Sequence, residues 1–97
     1  MPVRLDATVR GVVQGVGFRY FVMQLVRGRP VTGWVANGEG GVVHCVIEGE
    51  QADLEHLLVE LAEGPAGAIV EQVRVAWMPA TGAFRDFSIR SGNHPGD

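Results

Sequence analysis

There is no lysine in this chain; all eight basic residues are arginine. That excludes a Schiff-base lysine, a lysine general base and the lysine of a Walker loop. Any anion site must therefore use guanidinium and backbone N–H groups. Cysteine is nearly absent as well. Cys45 stands alone, so no disulfide can form within the chain, which fits a reducing compartment. No apolar run approaches the roughly 20 residues of a membrane-spanning helix. The opening MPVRLDATVR has no apolar stretch of signal-peptide length, and a soluble, cytoplasmic protein is expected. Positive charge is also scarce: the net charge of −3 argues against nonspecific nucleic-acid binding.

What is present suits one folded domain. The chain has 97 residues, 46% of them apolar and 20% charged, which are globular values. A single domain over residues 1–91 and a flexible tail over 92–97 are expected.

From Val3 to Gly11, Val3, Leu5, Ala7 and Val9 alternate with Arg4, Asp6, Thr8 and Arg10, the pattern of a strand with one buried face. A glycine-rich turn follows, and then Phe18, Val22, Leu25 and Val26 fall at helical spacing up to a stop near Gly28 and Pro30. Val31–Asn37 and Val42–Glu48 read as two strands joined through NGEGG, where Asn-Gly signals a hairpin. Leu54, Leu57, Leu58 and Leu61 mark a second amphipathic helix, stopped by Gly64-Pro65. Ile69–Trp77 reads as a fourth strand with Val73, Val75 and Trp77 facing inward, and a last short strand carries Phe87 and Ile89. This order implies an α+β, ferredoxin-like sandwich: a βαββαβ chain with both helices on one face of a mixed or antiparallel sheet.

The run GVVQGVGFRYF places Gly11, Gly15 and Gly17 just before a helix, with Arg19 in its first turn. Backbone N–H groups at a helix start have no intrahelical partner, and the helix dipole adds positive potential there. Glycines permit left-handed conformations, so such a turn can cradle a phosphate or carboxylate. Taken alone, however, a glycine-rich turn before a helix is more often a tight connection. It matches neither the Walker nor the Rossmann fingerprint.

The same run resembles the signature of the acylphosphatases, enzymes that hydrolyse the carboxyl–phosphate bond of acyl phosphates. The likeness continues through TGWVANGEGGVV and EGPAGAIVEQV to FRDFSIR, from about Arg4 to Arg90. The resemblance implies that Arg19 binds phosphate and that Asn37 positions water. It also implies that the main chain of Gln14, Gly15, Val16, Gly17 and Phe18 cradles the phosphoryl group. Neither metal nor cofactor is implied, and the partner is a small acyl phosphate held by a monomer. Asn37 has a second explanation, because Asn-Gly at a hairpin is accounted for by turn chemistry alone.

Two positions depart from the family pattern. Ala36 stands where a basic residue is common, which puts substrate preference in question. Pro30 stands near a usual glycine, with Gly28 expected as the left-handed cap. His44, His56 and His94 do not form a metal set, and Cys45 shares a face with Val43 and Ile47 as a small buried hydrophobe. Glu55, Glu60 and Glu63 read as a solvated helix face. Trp34 and Trp77 read as packing residues, with Trp34 able to border the site. The alternatives are a phosphate- or carbamoyl-phosphate-binding domain without turnover and, further off, a ferredoxin-like RNA-binding module.

Overall fold

The alternation at the front of the chain becomes strand β1 (Pro2–Val12), with Leu5, Ala7 and Val9 fully buried on one face. In the computed structural model, which describes residues 1–91, α1 (Phe18–Val26), β2 (Thr32–Asn37) and β3 (Val43–Glu50) follow. The chain continues with α2 (Gln51–Glu63), β4 (Ile69–Pro79) and β5 (Phe87–Arg90). The expected tail, 92–97 with His94, lies outside the described residues. The sheet order is β4-β1-β3-β2-β5, antiparallel except where β2 and β5 run parallel. This is the ferredoxin-like sandwich expected from the element order.

Both helices bury one stripe against the same face of the sheet. Phe18, Val22 and Val26 of α1 and Leu54, Leu57 and Leu61 of α2 join Leu5, Val9, Val35, Val43 and Ile47 in one apolar cluster. Burying a residue such as Leu57 favours folding by ~1.5–3 kcal/mol. Cys45 belongs to this cluster; burial, and then the nearby Asp6 charge, push its thiol pKa up, so it supplies no thiolate.

Two sequence expectations need correction. Val73, Val75 and Trp77 do lie opposite Val9, Ala7 and Leu5, but β4 is an edge strand that the helices only partly cover. Val75 and Trp77 remain 38% and 39% exposed. The second concerns Asn37-Gly38, which does not form the turn. Asn37 closes β2 opposite Val43, and Gly38 is extended at φ −117. The left-handed positions of this connection are Gly40 and Gly41, with φ of 78 and 82, and no residue other than glycine has positive φ among the described residues.

The outer face of the sheet is partly closed by the segment after β4. Glu48 accepts hydrogen bonds there from Thr81 N at 2.9 Å, Thr81 Oγ1 at 2.8 Å and Gly82 N at 3.0 Å, and from Arg4 Nε at 2.8 Å. Burial by itself would raise the carboxyl pKa. The hydrogen bonds from Thr81, Arg4 and Gly82 outweigh it and hold the pKa at about 2. This clasp turns the chain toward β5. Further along the same face, the Arg90 guanidinium lies 4.8 Å from the Trp34 ring centroid, and the His44 ring meets Trp34 edge-on at 5.0 Å. His44 Nε2 in turn lies 2.7 Å from Asp6 Oδ1. Trp34 thus packs on the outer face rather than bordering the site.

Candidate active site

The three glycines of the opening turn serve two different needs. Gly11 sits at an irregularity in the β1–β4 pairing, where a Cβ would lie 2.0 Å from the Ile69 carbonyl oxygen. Only glycine permits that approach. Gly15 and Gly17 have open space around them, and their requirement is conformational: φ is 75 and 78. Gly17 caps α1 in the left-handed region and offers no side chain to take up the helix's leading N–H groups.

Those donors remain available. The first α1 N–H with a backbone acceptor is that of Phe21, which donates to Gly17 O at 2.9 Å; those of Gly15 to Tyr20 have none among the described residues. Arg19 stands half-buried in the first turn of α1, where no acidic residue accompanies it. Its guanidinium makes no hydrogen bond or ion pair among the described residues. A cation beside a helix N-terminus is disfavoured by ~0.3–1 kcal/mol. Guanidinium and amides together therefore form a positive pocket that an anion would neutralise.

The topology brings Asn37 to this pocket. Val43, the first residue of β3, pairs with Val9 on one side and Asn37 on the other, so the ends of β1 and β2 flank the same point. Gly15, Gly17, Phe18, Arg19 and Asn37 line one cleft of about 590 Å³. Asn37 is 5% exposed, and its side chain makes no hydrogen bond among the described residues. Since the turn is made elsewhere, turn chemistry does not account for this amide.

Gln14 and Val16 are placed differently from the rest of the loop. Val16 packs against the apolar cluster. Gln14 turns its side chain inward, where Nε2 donates to Gly38 O at 2.9 Å and to Val42 O at 2.8 Å. Val42 O also accepts from Gly38 N at 2.9 Å. The glycine-rich loop is thereby stapled to the turn that follows Asn37.

Sequence reasoning missed this role of the Gln14 side chain, and it missed the far wall of the cleft, where Tyr20, Ile89 and Ser91 stand. Tyr20 falls outside the apolar stripe of α1, which was the one available signal. Ile89 alternates correctly for a core residue and gave none. Ala36, the departure expected to alter the entrance charge, has Arg90 as its neighbour on β5, so a cation stands beside that position. Gly28, two residues beyond α1, takes the expected left-handed conformation with φ 77.

The sequence profile of the acylphosphatases matches residues 5–89. The chain belongs to the acylphosphatase family. Hydrolysis of acyl phosphates is the activity of that family, and this chain is an acylphosphatase enzyme by its extended likeness to named relatives. The acylphosphatase of Salinibacter ruber (strain DSM 13855 / M31) is 45% identical over 87 residues, covering 90% of this chain and 92% of that one. The crystal structure of acylphosphatase from Bacillus subtilis superposes with a TM-score of 0.86 at 32% identity, over 91% of this chain and 98% of that one. A similar unit occurs in full-length HypF, solved in a phosphate- and nucleotide-bound form. There the TM-score is 0.85 at 27% identity, over 96% of this chain but 12% of HypF.

Proposed function

We propose that the cleft hydrolyses acyl phosphates without a metal ion, using Arg19 and Asn37 in separate roles. The phosphoryl group rests against the N–H groups of Gln14, Gly15, Val16, Gly17 and Phe18, and Arg19 forks two of its oxygens. Asn37 accepts a hydrogen bond from water through its amide oxygen and aims that water at phosphorus, in line with the leaving carboxylate. An amide is not basic at neutral pH, so the proton passes to the substrate's own phosphoryl oxygens. Water oxygen bonds to phosphorus as the P–O bond to the acyl group breaks. A dianionic acyl phosphate and water thus give a carboxylate and dihydrogen phosphate, with atoms and charge conserved.

Such a substrate is already activated by its carboxylate leaving group. Positioning and stabilisation of charge on the equatorial oxygens are then the main tasks, and preorganised amides with one guanidinium can supply both. The observation that carries the reading is the pairing, in one cleft, of a guanidinium and an amide that no other described group occupies.

The reading extends to a cytoplasmic monomer with a small-molecule partner and no nucleic acid. On the outer face the Trp34 ring is already engaged by Arg90 and His44, and the Phe84 ring by Arg4. Among the described residues no helix is long and apolar enough to cross a membrane.

The test is turnover of benzoyl phosphate and acetyl phosphate by purified protein in EDTA. Hydrolysis is expected for both. Folded protein that binds inorganic phosphate yet turns over neither would leave a phosphate-binding domain instead.

A further inference from the structure

The outer face of the sheet is charged unevenly. Beside the clasp, charge is balanced: Glu48 takes up Arg4, and the Arg4 guanidinium lies 5.2 Å from the Phe84 ring centroid. Toward the end of β1 it is not. There the register sets Arg74, Thr8, His44, Ala36 and Arg90 side by side, one from each strand, in a single row. Arg10 stands next to that row on β1, two residues beyond Thr8 and on the same face. With neighbouring strands about 4.8 Å apart, the row runs about 19 Å from Arg74 to Arg90.

Arg10, Arg74 and Arg90 are exposed and make no hydrogen bond or ion pair among the described residues. Arg90 stacks on Trp34, a contact that leaves its N–H groups unfilled. The nearby carboxylate of Asp6 already has His44 Nε2 at 2.7 Å. Glu71, at the pairing irregularity beside Arg10, forms no ion pair with any of the three. Acidity is gathered on the other layer, where α2 carries Asp53, Glu55, Glu60 and Glu63 and no arginine. A polyanion is therefore repelled from α2 and drawn to the outer face.

The row also has a low floor. Thr8 and Ala36 are short, and Ala36 is only 9% exposed, so a chain can lie flat between the arginines at its two ends. Ala36, the departure from the family pattern, thus keeps the middle of the row open. Because Arg90 covers the Trp34 ring and His44 meets it edge-on, that aromatic is not free to stack a base. Carboxylates need no stacking platform and match guanidinium forks directly.

We propose that this row docks an extended acidic segment of another protein, its carboxylates held by Arg10 and Arg74 at one end and Arg90 at the other. At about 3.3 Å per residue, a segment of about six residues spans it. The proposal is independent of the hydrolytic reading, because the row uses no residue assigned to the chemistry of the cleft.

Amide NMR titration with hexaglutamate tests it, with orthophosphate present throughout to compete for the cleft. Saturable shifts are expected at Thr8, His44, Arg74 and Arg90 and not at Gly15 to Phe18. Raising salt from about 0.05 M to about 0.2 M should weaken binding several-fold. The double variant Arg10→Gln/Arg74→Gln should lose affinity by about fivefold or more, the scale of two exposed ion pairs. Arg74→Gln alone should lose part of it and keeps the test open if the double variant does not fold. Arg27→Gln, which removes an exposed arginine beyond α1, should bind like the wild type. Equal binding by the folded double variant, an equal loss in Arg27→Gln, or shifts confined to Gly15 to Phe18 would overturn the docking face. Tighter binding of hexauridylate overturns it as well, by making the row a nucleic-acid surface. So does self-association through the same row, which would make the occupant a second copy of this chain.

Discussion

Gln14 holds Gly38: its side-chain Nε2 donates to the Gly38 carbonyl oxygen at 2.9 Å, one residue beyond Asn37. The loop proposed to hold phosphate and the strand end proposed to hold water are therefore one mechanical unit. Gln14→Leu should lower kcat about tenfold or more, because a small misplacement of reacting groups is costly. Inorganic phosphate inhibition should change much less, since the loop amides and Arg19 remain. Equal losses in kcat and in phosphate affinity would argue that the contact merely maintains the loop.

Arg19→Ala should weaken phosphate binding and reduce turnover by roughly 10²–10³-fold, the scale for removing a preorganised charge-stabilising donor. Stability should move the other way. In phosphate-free buffer the variant should gain a few tenths of a kcal/mol, because a lone cation leaves the N-terminus of α1. Urea unfolding with and without phosphate reads both effects.

Asn37→Ala should reduce turnover at least about 10²-fold while largely sparing phosphate binding. The residue is 5% exposed, so a modest stability change is expected alongside. Competitive inhibition by inorganic phosphate, measured on residual activity or by calorimetry, distinguishes this outcome from loss of the whole site.

Gly11→Ala and Gly17→Ala should part company. A Cβ at Gly11 meets the Ile69 carbonyl oxygen at 2.0 Å, backbone that cannot yield, so folding should fail or weaken severely. At Gly17 the space is open, and the left-handed φ of 78 should cost only about 1 kcal/mol or slightly more. Thermal melts of the two variants check this contrast.

Glu48 supplies a pH dependence whose sign is fixed by its depressed pKa. The carboxylate favours the fold above its unfolded value, near 4.5, and that contribution is lost as pH falls toward about 2. Its size is on the order of 1–2 kcal/mol, since the group lies close beneath the surface and water screens it. Glu48→Gln should be less stable at neutral pH and should show a flatter decline between pH 4.5 and 2 in urea titrations.

Residues whose environment is set by local period were legible in the sequence. Leu5, Ala7 and Val9 alternate because one face of β1 is covered, and Leu54, Leu57 and Leu61 recur because one face of α2 is. Where position within the sheet decides, local pattern failed: Trp77 has the right parity but sits on an edge. Glu48 reads as an ordinary strand carboxylate, and only the return of Thr81, 33 residues later, buries it. For Asn37, turn propensity pointed at the Asn-Gly pair, while Gly40 and Gly41 offered a better left-handed route. The meeting of Arg19 and Asn37 depends on β1 and β2 flanking β3, which no local spacing encodes. Resemblance to a family carried that part of the reading.

The guanidinium of Arg19, without a partner among the described residues, has a consequence beyond a single turnover. On the proposed reading, a pocket shaped for a phosphoryl group also welcomes the orthophosphate that each cycle releases, so catalysis would slow as that ion accumulates. The working rate would then depend on the ambient ion as well as on the substrate supply, and the chain would idle in occupied form wherever orthophosphate is abundant.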